Sequence, residues 1–342
     1  MKLEIKEIIE ETKDAVSICF KNGNLFRKIK YKPGQFITIH VTIDKVVHKR
    51  AYSFSSNPYT DKDLKITIKR VENGLVSNYV HDVLNKGAKL KVEGPAGSFY
   101  VAPEKNSAKQ YVLFAGGSGI TPVFSILKSV LTEEPGSKVL LVYANQNMDS
   151  IIFHDEIKSL EKSYPERCFV EHIVASGKAN KDNYHAGLAT KELVDKIFLK
   201  HDLDYKDDVY MICGPFGYME TVKSILCDSG VARENIKVEV FKPAVVKLTG
   251  GKLISDVTIK LDGQQHELKV RGDKSILQEA MSQNVVIPYS CRSGMCSTCK
   301  ATCVEGEVKM TEGHFLPETE VDKGAVLTCI SYPVSEKVVL EI

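Results

Sequence analysis

No run of apolar residues in this chain approaches the roughly 20 that a helix needs to cross a bilayer, and no charge of one sign dominates. Its 46 lysines and arginines face 44 aspartates and glutamates, a net of +2. The first absence argues against a spanning helix, the second against a nucleic-acid or membrane partner drawn by a basic field. The opening MKLEIKEIIEETKD is charged and mixed where a secretory signal would be apolar, so the expectation is a cytoplasmic protein. A disulfide framework is missing too: Cys19, Cys168, Cys213, Cys227 and Cys303 are scattered, as suits a reducing compartment. The nine histidines form no set with carboxylates that reads as a mononuclear iron site, and there is no internal repeat. What is present, 43% hydrophobic residues over 342, suffices for two or three domains, each with its own core.

The periodicity divides the chain into three. Up to about Val101 it has period two, in Ile37, Ile39, Val41 and Ile43 and again in Leu64, Ile66 and Ile68, with turns at Gly34, Asn57-Pro58, Asn73-Gly74 and Gly94-Pro95. That pattern predicts an antiparallel β-barrel with one helix, marked by Val76, Tyr79, Val80, Val83 and Leu84, whose N-terminus lies at Gly74 to Ser77. From Gln110, apolar runs such as YVLFA, KVLLVYA, FVEHIVA and DVYMIC alternate with amphipathic stretches, which predicts a doubly wound parallel sheet ending near IKVEVF. KPAVVKLTGGK then reads as a linker. From Ile254, VTIKL and HELKV flank Asp262-Gly263, a hairpin signal, and Ile276, Leu277, Ala280 and Met281 mark one helix.

The C-terminal part holds Cys291, Cys296, Cys299 and Cys329, a C-x4-C-x2-C…C spacing that is the plant-type ligand pattern for a [2Fe–2S] cluster. Each of two irons takes two protein sulfurs, so three thiolates must come from one tight loop, for which Gly294 supplies positive φ. Zinc sites favour two C-x2-C knuckles, and only one is present. Upstream, Gly116-Gly117-Ser118-Gly119-Ile120-Thr121-Pro122 lies between a predicted strand and a predicted helix, where bare backbone and a helix N-terminus can receive a pyrophosphate. Such a turn also serves close packing, and it departs from G-x-G-x-x-G. Cys213-Gly214-Pro215 follows another strand of the same sheet, and its thiol reads equally as a small buried hydrophobe. In the barrel, Arg50, Tyr52 and Ser53 put a guanidinium, a ring and a hydroxyl on one strand, with Arg50 and Ser53 expected on a shared face and Tyr52 pointing elsewhere. A surface arginine beside a core tyrosine would look the same.

Taken in order, Arg-x-Tyr-Ser, Gly-x-x-Ser, Gly-Pro-x-Gly-Ser-Phe at Gly94 to Phe99, Gly-Gly-Ser-Gly-Ile-Thr-Pro and Cys-Gly-Pro resemble the ferredoxin reductase superfamily over residues 1 to 241. With the cysteine module, the whole chain is similar to the reductase components of bacterial oxygenases, nearest those that serve phenylacetyl-CoA epoxidases. The resemblance implies a multidomain protein: an FAD-binding β-barrel over 1–103, an NAD(P)-binding α/β domain over 104–241, a linker over 242–253 and a β-grasp-like α+β ferredoxin domain over 254–342. It implies that Arg50 holds the flavin pyrophosphate, Tyr52 stacks on the isoalloxazine and Ser53 hydrogen-bonds near its N5, with Lys69, Gly74 and Ser77 lining the rest. Gly116, Gly117, Gly119 and Thr121 would receive NADH or NADPH, Cys213, Gly214 and Pro215 would lie beside the nicotinamide, and Glu239 with Phe241 would close over the flavin edge. Ser53, Cys213 and Glu239 are the candidate catalytic positions. The implied activity takes a hydride onto FAD and passes single electrons through the cluster to an oxygenase, epoxidase or hydroxylase component.

Where many relatives carry Ser-Arg and Gly-Arg pairs for the 2′-phosphate of NADPH, this chain has Ala175-Ser176-Gly177-Lys178 and Gly187-Leu188, which leaves the donor open. Cys303, just past the cysteine loop, is expected as a core position on a strand. Two rival readings share the motifs: an FMN-type dioxygenase reductase, and an iron–sulfur redox sensor without NAD(P)H activity.

Overall fold

A computed structural model describes residues 1–21, 29–176, 182–205, 209–241, 254–311, 314 and 316–342. The chain divides into two compact units, Met1–Glu239 and Val240–Ile342. The stretch expected as a linker, 242–253, lies outside the described residues, as do Gly177 and Lys178.

The first unit opens with β1 (Lys2–Thr12), β2 (Ala15–Phe20), β3 (Phe36–Ile43), β4 (Val46–Ser53), β5 (Leu64–Lys69), α1 (Leu75–Asp82) and β6 (Lys89–Ala96). The strands form one antiparallel sheet in the order β4-β3-β6-β1-β2-β5. A bridge from Phe54, just beyond β4, to Ile66 on β5 joins the two edges and closes the sheet as a barrel. Ile5, Ile18, Phe20, Ile37, Ile39, Phe54, Ile66 and Ile68 fill it. The alternation along β3 is incomplete, because Thr38 and His40 are buried as well, with His40 facing Glu93 at 2.9 Å.

The parallel sheet follows: β7 (Gln110–Gly116), α2 (Ile120–Glu133), β8 (Lys138–Asn145), α3 (His154–Ser163), β9 (Cys168–Val174), β10 (Tyr184–Ala186), α4 (Lys191–Lys200), β11 (Val209–Cys213), α5 (Phe216–Asp228) and β12 (Ile236–Glu239). Its order is β10-β9-β8-β7-β11-β12, every neighbouring pair parallel, so the order reverses at β7 and β11. The boundaries at α3 and α5 have different causes, one a distant ring and the other a local cap. Helix α3 begins only at His154, because Phe153 takes φ 62° to stack on Phe124 at 4.4 Å. After α5, Gly230 at φ 94° ends the helix as its N–H reaches the Cys227 carbonyl and that of Val231 the Leu226 carbonyl. IKVEVF forms strand only as far as Glu239.

Two buried carboxylates tie this half together. Glu134, at the end of α2, accepts the Glu104 N–H and the Tyr111 hydroxyl, both at 3.1 Å, and the Ser137 hydroxyl at 2.6 Å. Glu171, in the middle of β9, is met at 2.7 Å by His185, His201 and Lys200.

The second unit contains β13 (Ile254–Leu261), β14 (Gln264–Arg271), α6 (Ile276–Ser282), β15 (Lys300–Glu305), β16 (Val308–Met310), α7 (Glu318–Val321), β17 (Ala325–Leu327), β18 (Ser331–Pro333) and β19 (Lys337–Glu341). A five-stranded mixed sheet runs β14-β13-β19-β15-β17, with β13 and β19 parallel, and α6 packs on it as in a β-grasp. Asp262 and Gly263, at φ 51° and 76°, form the two-residue hairpin turn that their sequence predicts. Ser275 and Gln278 cap α6 reciprocally. Met281, expected on the apolar face of α6, is exposed, because Ile276, Leu277 and Ala280 already fill the contact with the sheet.

Burial alone would raise the Glu171 pKa, but hydrogen bonds from His201, Lys200 and His185 outweigh it and bring it down from 4.5 to about 2. The ionised carboxylate therefore favours the fold above the unfolded pKa, and that contribution is lost as pH falls toward the folded value. Replacing Glu171 with Gln should remove roughly 3 kcal/mol near neutrality and flatten the acid limb of stability, as measured by urea unfolding from neutrality to strong acid.

Candidate flavin, nucleotide and cluster sites

The parallel sheet reverses its order between β7 and β11, and the loops leaving those strands lie against each other. A methyl group on Gly119 would come within 2.1 Å of the Cys213 carbonyl oxygen, and one on Gly116 within 2.8 Å of the Pro215 ring. From the other loop, a methyl on Gly214 would stand 3.0 Å from the Gly116 Cα. Tyr218 backs both glycines, while the fully buried Tyr143 donates to the Gly117 carbonyl at 3.0 Å. Gly117 itself, at φ 50°, has open space where its side chain would be. Thr121 returns its hydroxyl to the Ser118 carbonyl at 3.1 Å, and α2 starts at Ile120, so the first-turn N–H groups of that helix point along the loop. Such a bare backbone at the C-terminal edge of a sheet, at its switch point, is where open α/β sheets take ligands.

Cys213 and Glu239 end neighbouring strands in register. Both side chains are buried, and burial followed by the Glu239 charge pushes the Cys213 thiol well up, which keeps it a neutral thiol. Glu239 thus stands beside a group that does not ionise. Phe241, two residues further, is partly exposed.

In the barrel, the expected grouping of Arg50 with Ser53 is corrected. The two-residue period of β4, paired with β3 from Val46 to Ser53, places Arg50 with Tyr52 and turns Ser53 to the other side. The Arg50 charge acts on the Tyr52 phenol, whose pKa burial raises to about 12, and Ser53 is buried. Arg50 donates to the Lys49 carbonyl at 2.7 Å. Lys69, at the end of β5, lies 3.2 Å from Asp14. Gly74 precedes α1, where a methyl would stand 2.5 Å from the Ser77 hydroxyl. That hydroxyl donates to the Gly74 carbonyl and accepts the Val71 N–H, both at 3.2 Å, and so shapes the turn that presents the helix N-terminus.

In the second unit the loop before β15 gathers four cysteines. The Cys291 thiol is coupled to that of Cys296, and the Cys299 thiol to that of Cys329. Cys296, Cys299 and Cys329 are buried and Cys291 is partly so. Within each pair the coupling lowers one thiol, Cys296 or Cys299, and raises the other. Among the described residues no three His, Cys, Asp or Glu converge as for one metal ion. Two thiol pairs side by side are instead what a two-iron centre requires. The backbone fits as well: the Ser293 N–H lies 3.4 Å from the Cys291 sulfur, and the Gly294 N–H faces Cys329. Gly294 sits at φ 78°, with Ile330 only 2.8 Å from where a methyl would be. Cys303 lies on β15 as expected but is half-buried, its sulfur 3.5 Å from the Glu305 carbonyl.

Sequence reasoning missed the polar seam between barrel and sheet, where Ser125, Lys128, Ser129 and Thr132 of α2 meet the segment after β4. Its signal was available: hydroxyls spaced four and three apart on an otherwise apolar helix.

A bare switch point, an arginine–tyrosine strand and paired thiols together define an oxidoreductase built for a flavin, a nicotinamide nucleotide and an iron–sulfur centre. Residues 2–100 match the oxidoreductase FAD-binding domain, 113–224 the oxidoreductase NAD-binding domain and 259–334 the 2Fe-2S iron-sulfur cluster binding domain. The chain is 34% identical to the ferredoxin reductase component of the 3-ketosteroid-9-alpha-monooxygenase of Rhodococcus rhodochrous, over 99% of this chain and 96% of the relative. It is 29% identical to one component chain of the 1,2-phenylacetyl-CoA epoxidase of Escherichia coli K12, over 99% and 96%. Phthalate dioxygenase reductase shares the fold, with a TM-score of 0.66 at 23% identity over 100% of this chain and 98% of that one. The chain belongs to the ferredoxin reductase components of oxygenase systems. It is an NAD(P)H-dependent flavin and iron–sulfur oxidoreductase whose cofactors are FAD and a [2Fe–2S] cluster.

Replacing Gly119 with Ala should destabilise the first unit by about 1–3 kcal/mol, as overpacking against backbone does. It should also slow flavin reduction by the nucleotide, measured by thermal unfolding and anaerobic absorbance together.

Proposed function

We propose that this chain takes reducing equivalents from NADH or NADPH at the β7–β11 switch point and delivers them singly to a separate oxygenase, epoxidase or hydroxylase component. The observation that carries the reading is the mutual contact of the two glycine loops, which leaves backbone and helix N-termini bare beside Cys213 and Glu239. Residues 1–103 hold the flavin, 104–241 the nucleotide and 254–342 the cluster.

FAD supplies, when bound, the exchange between a two-electron donor and a one-electron centre. The chain's own groups bind and orient. Arg50 pairs with the flavin phosphates, and the Tyr52 ring offers a stacking plane on the same face. The N-terminus of α1, shaped by Gly74 and Ser77 with Lys69 nearby, completes that pocket. Gly116, Gly117, Gly119 and Thr121 receive the dinucleotide, and Cys213, Gly214 and Pro215 form the floor beside the nicotinamide. A neutral Cys213 packs there without placing a second negative charge next to Glu239. Glu239 edges the flavin. Cys291, Cys296, Cys299 and Cys329 ligate the cluster. The family's oxygenase systems support a protein electron acceptor, named for its relatives as a steroid monooxygenase or a phenylacetyl-CoA epoxidase. Among the described residues no helix is long and apolar enough to cross a membrane; scattered cysteines without a disulfide framework support a reducing compartment such as the cytoplasm.

Anaerobic titration of the purified holoprotein with NADH and then NADPH should bleach flavin and cluster absorbance together and identify the donor. Absorbance unchanged by both nucleotides refutes the reading. Cys296→Ser should abolish reduction of a one-electron acceptor such as cytochrome c while flavin bleaching persists.

A further inference from the structure

We propose that the seam between α2 and the segment following β4 is a positioning device that fixes how closely the nicotinamide approaches the flavin. The proposal rests on the reductase reading above. Helix α2 begins in the nucleotide loop at Gly116 to Gly119, and its next turns face the barrel. Ser125 donates to the Ser56 carbonyl at 2.6 Å, and Ser129 to Asn57 Oδ1 at 3.1 Å. Asn57 Nδ2 donates to Thr132 at 3.1 Å, and Lys128 Nζ lies 2.7 Å from Asp61. Ser125, Ser129, Ser56 and Asn57 are all buried, so the two serine hydrogen bonds are made away from water, where geometry is held tightly.

The barrel side of the seam is equally constrained. Ser56 Oγ accepts the Lys65 N–H at 2.9 Å and pairs with the Tyr31 hydroxyl at 2.6 Å, while the Asn57 N–H donates to Asp61 at 2.8 Å. Ser56 and Asn57 follow Tyr52 and Ser53 by four residues, so the strand that would hold the isoalloxazine is anchored almost at once to α2. One helix thus carries the nucleotide loop at its start and the flavin strand's anchor in its second, third and fourth turns. A change in docking at Ser125 or Ser129 alters the separation of the two rings without touching either binding site. Since a misplacement of about 1 Å can slow a reaction about 100-fold, these are positioning residues.

The test is S125A/S129A holoprotein in anaerobic stopped flow with whichever nucleotide reduces the unaltered protein. The expected result is flavin reduction slowed about 10–100-fold at saturating nucleotide, with the half-saturating concentration within about twofold of normal. FAD content should be unchanged, and the long-wavelength charge-transfer absorbance of nicotinamide stacked on flavin should be weakened. A normal rate together with normal charge-transfer absorbance in the double variant overturns the proposal, as does a loss expressed only in half-saturation. If the double variant does not accumulate with FAD, Lys128→Met, which breaks the same seam at the Asp61 pair, is read by the same absorbance and rate, and normal values for it overturn the proposal equally. Unaltered protein that neither nucleotide reduces would end the reductase reading instead, so the two failures are distinct.

Discussion

The close approach of two backbones at the reversal of the parallel sheet is the constraint on which the first unit depends. Gly116 and Gly119 on one side and Gly214 on the other leave no room for a side chain, so the loops after β7 and β11 settle into a single surface. The two loops lie at the C-terminal edge of the sheet, beside the N-termini of α2 and α5, where helix dipoles favour an anion. Tyr143 and Tyr218 behind the loops supply bulk that the glycines lack. The chemistry assigned to the first unit follows from that surface being both bare and rigid.

Desolvation sets the character of the side chains around it. Cys213 is fully buried next to a carboxylate, so it stays protonated and serves as packing of a defined shape. The second unit uses the same element in the opposite way. There the thiols are coupled in two pairs, one member of each lowered and the other raised, and the Ser293 N–H from the tight loop lies against the Cys291 sulfur. Burial with a carboxylate neighbour makes a thiol inert, whereas burial with thiol and amide donors makes it a ligand.

Features written locally in the sequence were legible. Asp262-Gly263 specifies its turn because the turn depends on those adjacent residues alone. The long apolar runs marked the parallel sheet and its order of elements. Features that depend on distant partners were not legible. Phe153 adopts a left-handed backbone because Phe124 and Lys65 hold its ring from other elements, whereas the shared face of Arg50 and Tyr52 follows from the two-residue period of a strand alone. Met281 is left outside because three neighbours already fill the sheet contact. The serine seam on α2 was visible as a pattern, yet its partners at Ser56 and Asn57 lie some 70 positions earlier.

Glu134 links the barrel's exit to the parallel sheet through donors from three separate stretches: the amide of Glu104, the phenol of Tyr111 and the alcohol of Ser137. Stripping water from a carboxylate before those donors arrive is uphill, so a chain that has assembled only part of this corner keeps it wet and open. The corner therefore closes cooperatively, and the crossing between the two halves of the unit behaves as a latch that engages only when both sides are already in place.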